Sequence, residues 1–115
     1  MAVRHRRDDL QGLEVWALVA SAGATITRAS GVNFQDADIT SARNATGDYT
    51  ITLNPLKGPK GEVFIQTTAL SATLKLFTVI KSAAYTNDSL AVNVLIFDDT
   101  GTAQEAAVML HIYAE

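Results

Sequence analysis

Cysteine is absent from the chain, which excludes a disulfide framework and any thiolate nucleophile or metal ligand. Histidine is nearly absent: there is His5 near the start and His111 inside an apolar run. With no His-x-His pair, no zinc-type ligand set can be written. Proline occurs only at Pro55 and Pro59, so most of the chain is free to pair in sheets. Long apolar runs are lacking too. Val15 to Ala20 is far too short to span a bilayer, and Gln11, Gly12 and Glu14 interrupt the apolar core a signal peptide would need. A net charge of −3 over 115 residues gives no strong steering field for an ionic partner.

What is present is alternation. Tyr49, Ile51 and Leu53 alternate with Asp48, Thr50 and Thr52 after the turn Asn44-Ala45-Thr46-Gly47, the pattern of a half-buried strand. Leu90 to Phe97 and Ala106 to Ala114 repeat it on either side of Asp98-Asp99-Thr100-Gly101. That link reads as a β-hairpin turn, with Asp starting it and Gly supplying positive φ. Further strands are expected at Ala24–Arg28, Asp38–Asn44, Val63–Thr67 and Thr73–Lys81. Loops are expected at Ala29–Ala37, Asn54–Gly61, Thr68–Ala72 and Ser82–Ser89. Leu13–Ala22 fits a helical stripe or a strand, and the apolar residues in both phases favour a strand buried on two sides or packed on a neighbouring subunit.

These segments predict an all-β fold, an antiparallel β-sandwich or small barrel of about seven to eight strands. Residues 10–115 form the domain and residues 1–9 a flexible basic arm. The expected core is Tyr49, Ile51, Leu53, Val63, Ile65, Val92, Val94, Ile96, Val108, Leu110 and Ile112. The opposite face of the last hairpin, Leu95, Phe97, Met109 and Tyr113, is also apolar. Together with Val15, Trp16 and Leu18 it is the expected subunit contact. Arg4, Arg6 and Arg7 in the arm are the expected contact with an acidic partner surface. Nucleic acid is not the expected partner, because so few basic groups oppose an acidic body.

Catalytic constellations do not assemble from this inventory. His111, flanked by Leu110 and Ile112, reads as a half-exposed face or interface residue rather than a base. Asp98 and Asp99 read as turn formers rather than calcium ligands, and Gly58-Pro59-Lys60-Gly61 lacks the ending of a phosphate loop. No cofactor, metal or catalytic residue is expected.

The run Ile39–Leu53, with its Gly47-Asp48-Tyr49-Thr50-Ile51-Thr52-Leu53 strand, resembles a pattern in small β-sandwich virion proteins of tailed bacteriophages. A Pro-containing loop, the strand Val63–Thr67, and Val92–Gly101 followed by Ala107–Tyr113 extend the likeness over about residues 38 to 114. The resemblance implies a non-enzymatic structural protein that binds partners, assembled in the host cytoplasm into the virion. A capsid decoration or cement subunit is expected first, since no fibre shaft precedes the domain, with a tail-fibre or receptor-binding module as the alternative. Expected partners are other copies, as a homotrimer, and the major capsid protein or another virion protein; no membrane is expected. A carbohydrate-binding module is a further reading, with Trp16, Tyr85 and Phe34 as the aromatics it would use.

Overall fold

The structure is a computed structural model that describes residues 13–22, 25–32, 34–55, 62–86 and 88–114. The basic arm with Arg4, Arg6 and Arg7, and most of the Asn54–Gly61 loop, lie outside the described residues. Among the described residues, eight antiparallel strands form two four-stranded sheets. They are β1 (Leu13–Val19), β2 (Ile26–Val32), β3 (Ile39–Ala45), β4 (Asp48–Leu53), β5 (Val63–Leu70), β6 (Leu76–Thr86), β7 (Ser89–Asp98) and β8 (Ala107–Ala114). Sheet I has the order β2-β1-β8-β5 and sheet II the order β3-β4-β7-β6. The all-β sandwich is therefore as expected, and Leu13–Val19 is a strand.

Alternation explains the core. Val15, Ala17 and Val19 of β1 and Val108, Leu110 and Ile112 of β8 face Tyr49, Ile51 and Leu53 of β4 and Leu90, Val92, Val94 and Ile96 of β7. All are buried, and Val63 and Ile65 of the edge strand β5 pack against them half-buried. Burial of such side chains is worth about 1.5–3 kcal/mol each, the largest contribution holding the two sheets together.

Polar anchors fix how the sheets sit. The fully buried Tyr49 carries its hydroxyl across the sandwich, where it donates to Ser21 O and Ala106 O and accepts from Ala106 N–H at 3.2 Å. Glu105 reaches back to the β3–β4 turn. Its Oε1 accepts from Gly47 N–H at 2.7 Å and its Oε2 from Arg43 Nε at 2.9 Å. Gly47 itself has φ +64°, and a Cβ there would sit 2.5 Å from Ile96 O and 2.8 Å from Gln104 O. At the opposite border, Thr67 Oγ1 on β5 bonds to Thr78 Oγ1 on β6 at 2.7 Å, joining the edges of the two sheets.

Four expectations are corrected. The link at Asp98–Gly101 turns as predicted, with Gly101 N–H donating to Asp98 O at 3.0 Å and Asp98 N–H to Thr102 O at 2.9 Å. The antiparallel ladder ends after the bridge Phe97–Ala103, however, and residues 104–106 carry the chain to the other sheet. β7 and β8 are thus not a hairpin. Ser82–Thr86 is strand rather than loop, paired with β7 after a bulge at Lys81. Ala29–Val32 likewise continues β2, where Gly31 is required because a Cβ would collide with Glu14 O. Strand β5 also runs on through Leu70, where a turn was expected from Thr68.

Candidate functional site

The split of β7 from β8 divides the expected contact residues between opposite sides of the molecule. Trp16, Leu18, Met109 and Tyr113 stand on the outer face of sheet I, and Leu95 and Phe97 on the outer face of sheet II. Val15 is corrected altogether: it has no exposed surface and belongs to the core, because it shares the phase of Ala17 and Val19. Of the other expected aromatics, Phe34 and Tyr85 pack half-buried against the core, whereas Trp16 is 52% exposed.

On sheet I, the strand register sets side chains in rows. One row runs Gln66–His111–Trp16–Ser30 and the next Thr68–Met109–Leu18–Arg28, each crossing β5, β8, β1 and β2 in turn. Neighbouring strands about 4.8 Å apart bring flat side chains into stacking range. The Trp16 and His111 rings stack at a centroid distance of 3.7 Å and an interplanar angle of 3°. His111 Nε2–H donates to Glu14 Oε2 at 2.9 Å, and Gln66 Oε1 lies 3.5 Å from Nδ1. The imidazole is thus held at Nε2 by Glu14, and it stacks on the indole in turn. Beside this ridge lies a concavity of about 430 Å³, lined among others by Leu18, Met109 and Leu70, with Arg28, Ser30, Gln66 and Thr68 on its flanks. Phe64, paired in register with Tyr113, adds a further exposed ring to the face.

Sheet II presents a different surface. Its outer face carries an apolar corner, Phe77 and Val79 on β6 beside Phe97 and Leu95 on β7. Phe77 and Phe97 lie 6.3 Å apart, and Phe77 is 51% exposed. Farther along, the face carries short side chains, among them Ala42, Thr50, Thr52, Ala84 and Ala91. Between the two zones, Asp48 Oδ1 accepts from Asn93 Nδ2 at 2.7 Å and from Asn44 Nδ2 at 3.1 Å. The Asn93 bond, then the Asn44 bond, hold the Asp48 carboxyl below its ordinary pKa.

No family model, curated protein or solved structure matches the chain. Among the described residues there is no group of three or more His, Asp or Glu that could hold a metal ion, and no helix long and apolar enough to cross a membrane. Asp98 acts in its turn as expected. Bonds from the Thr100 hydroxyl and the Gln104 amide, with the backbone N–H groups of Thr102 and Thr100, hold its carboxyl far below the usual carboxylate range.

Residues that the sequence reading missed are Phe64, Leu70, Phe77, Val79 and Arg28. The signal for Phe64 was present: it shares its phase with the polar Gln66, so it faces outward. Phe77 and Val79 share the phase of Lys75 in the same way. Arg28 reads from the sequence only as a strand residue; the β1–β2 register places it beside Leu18 and the Trp16 ridge.

Proposed function

We propose that the chain is a non-enzymatic structural subunit of a bacteriophage particle, a capsid decoration or cement protein that works as a homotrimer. The observation that carries this reading is the outer face of sheet II, where the apolar corner of Phe77, Val79, Leu95 and Phe97 is followed, across the Asp48–Asn93–Asn44 cluster, by a low surface of alanine and threonine. Such a surface lets another protein approach closely over a broad area. Strand spacing and rise give the four strands of this face, six to eleven residues long, a plan area of about 550 Å². That is about two-thirds of the roughly 800 Å² per partner of a standard stable interface. The likeness of Ile39–Leu53 and of Val92–Gly101 to virion β-sandwich proteins supplies the particle context. The basic segment with Arg4, Arg6 and Arg7 is suited to an acidic patch on the capsid protein.

The test is gold-labelled electron microscopy of purified particles carrying a tagged chain. Label over the capsid lattice is expected, and loss of label when Phe77 and Val79 are both replaced by Lys. Label on the tail would favour the fibre-module reading, and particles without label would refute a virion role.

A further inference from the structure

The concavity on sheet I has features that a surface made only for protein contact does not need. Its central aromatic is fixed in place. His111 backs one face of the Trp16 indole at 3.7 Å and is itself held by Glu14. On the other side of Trp16, the residue in register on β2 is Ser30, whose short side chain leaves the second indole face open. Leu18, Met109 and Leu70 extend the apolar floor, and Ser30, Gln66 and Thr68 bring hydroxyl and amide groups to its borders. Arg28 stands one row along on the same edge strand, exposed, and it forms no ion pair among the described residues. Glu14, the acidic group on this face, is engaged with His111 and its side chain is 12% exposed. Among the described residues that line the concavity, the open charge is therefore a single cation, in a chain whose net charge is −3.

We infer that this concavity is a binding site for an acidic saccharide, with a hexuronate ring stacked on the open face of Trp16 and its carboxylate on Arg28. A pyranose ring offers a face of C–H bonds, which packs on an aromatic plane, and a rim of hydroxyls, which needs donors and acceptors at the border of that plane. Both are present here in that arrangement. Trp16 and Arg28 are diagonal neighbours, about 7–8 Å apart across the two strands, a gap that a long side chain spans and that leaves room for a ring substituent. A planar guanidinium matches a carboxylate with paired hydrogen bonds. Fixing the indole in advance removes the entropy cost of ordering it on binding. The site lies on the sheet opposite the proposed assembly face, so the two roles do not compete.

Trp16 is the single tryptophan, so its emission reports this site alone. The experiment titrates the full chain with trigalacturonate and with cellotriose, followed by tryptophan emission and by calorimetry. Trigalacturonate is expected to give a saturable change that weakens as salt is raised, with cellotriose at least about tenfold weaker. Arg28→Ala should remove that preference. Trp16→Ala should abolish the calorimetric signal, and Ser30→Tyr, which covers the indole while retaining it, should do the same in a chain with unchanged melting temperature. No saturable change up to about 10 mM of either sugar overturns the proposal. Equal binding of both sugars overturns the acidic class. An emission that depends on protein concentration alone, with a matching rise in mass, overturns it in favour of a second copy on this face.

Discussion

Replacing Tyr49 by Phe removes one oxygen atom and leaves the aromatic core contact in place. That oxygen accepts from Ala106 N–H and donates to Ala106 O and Ser21 O, inside a residue with no exposed surface. Phe would leave the Ala106 N–H without its partner, and a buried orphan donor costs about 1–3 kcal/mol. The expected loss is about 2 kcal/mol. For a domain of this size that corresponds to a fall in melting temperature of roughly 6–12 °C, with an unchanged denaturant slope. A second signature follows from titration. Burial pushes the Tyr49 hydroxyl above its ordinary pKa, a shift that the Ala106 hydrogen bond partly offsets. The folded state then keeps a proton that the unfolded state loses, so this contribution is whole below pH 10 and is lost as pH rises through the folded value. The wild-type chain should lose stability above pH 10 more steeply than Tyr49→Phe. Urea melts of both proteins at neutral and alkaline pH provide the assay. A loss under about 0.5 kcal/mol, with parallel alkaline profiles, would refute the idea that this hydroxyl clamps the two sheets.

Gly47→Ala should cost about 2 kcal/mol or more, since the new Cβ meets the carbonyls of Ile96 and Gln104 at a φ of +64°, and thermal melts should show it. The same change at Gly101, where φ is +85° but nothing lies within 4 Å, should cost only about 1 kcal/mol. Glu105→Ala should lower stability by about 1 kcal/mol at neutral pH through loss of the Gly47 and Arg43 bonds. Burial alone would raise the Glu105 pKa, but the Gly47 N–H and Arg43 hold it below the ordinary value. Its contribution is therefore present above pH 4.5 and lost as pH falls through the folded value, so the gap between wild type and variant in urea melts should close in acid.

The fold class was legible because period-2 alternation states directly which side chains face inward; Tyr49, Ile51 and Leu53 are buried as that phase demands. Alternation does not state which sheet a strand joins. The inner faces of both sheets carry the same pattern, so Leu90–Phe97 and Ala107–Tyr113 look like partners across a good turn although β7 pairs with β4 and β6, and β8 with β1 and β5. Bulges hide strands for a related reason. In β6 the inward residues are Ile80, Ala83 and Tyr85, and the three-residue step at the bulge breaks the period that would have marked Ser82–Thr86 as strand. The sheet I concavity was the least visible feature. Its residues come from four strands spread over residues 14 to 111, and only the register sets Arg28, Trp16, His111 and Gln66 side by side. Trp16 itself was readable, since it lies in the opposite phase to Val15 and Ala17.

The proposed trimer depends on burial of the sheet II corner between copies of the chain. Light scattering coupled to gel filtration, at micromolar concentration, tests that directly on the wild type and on the chain with Phe77 and Val79 both changed to Lys. The wild type is expected at three times its monomer mass of 12.3 kDa, and the doubly substituted chain as a folded monomer with an unchanged circular dichroism spectrum. A wild-type monomer, or a trimer that survives the two lysines, would contradict the account.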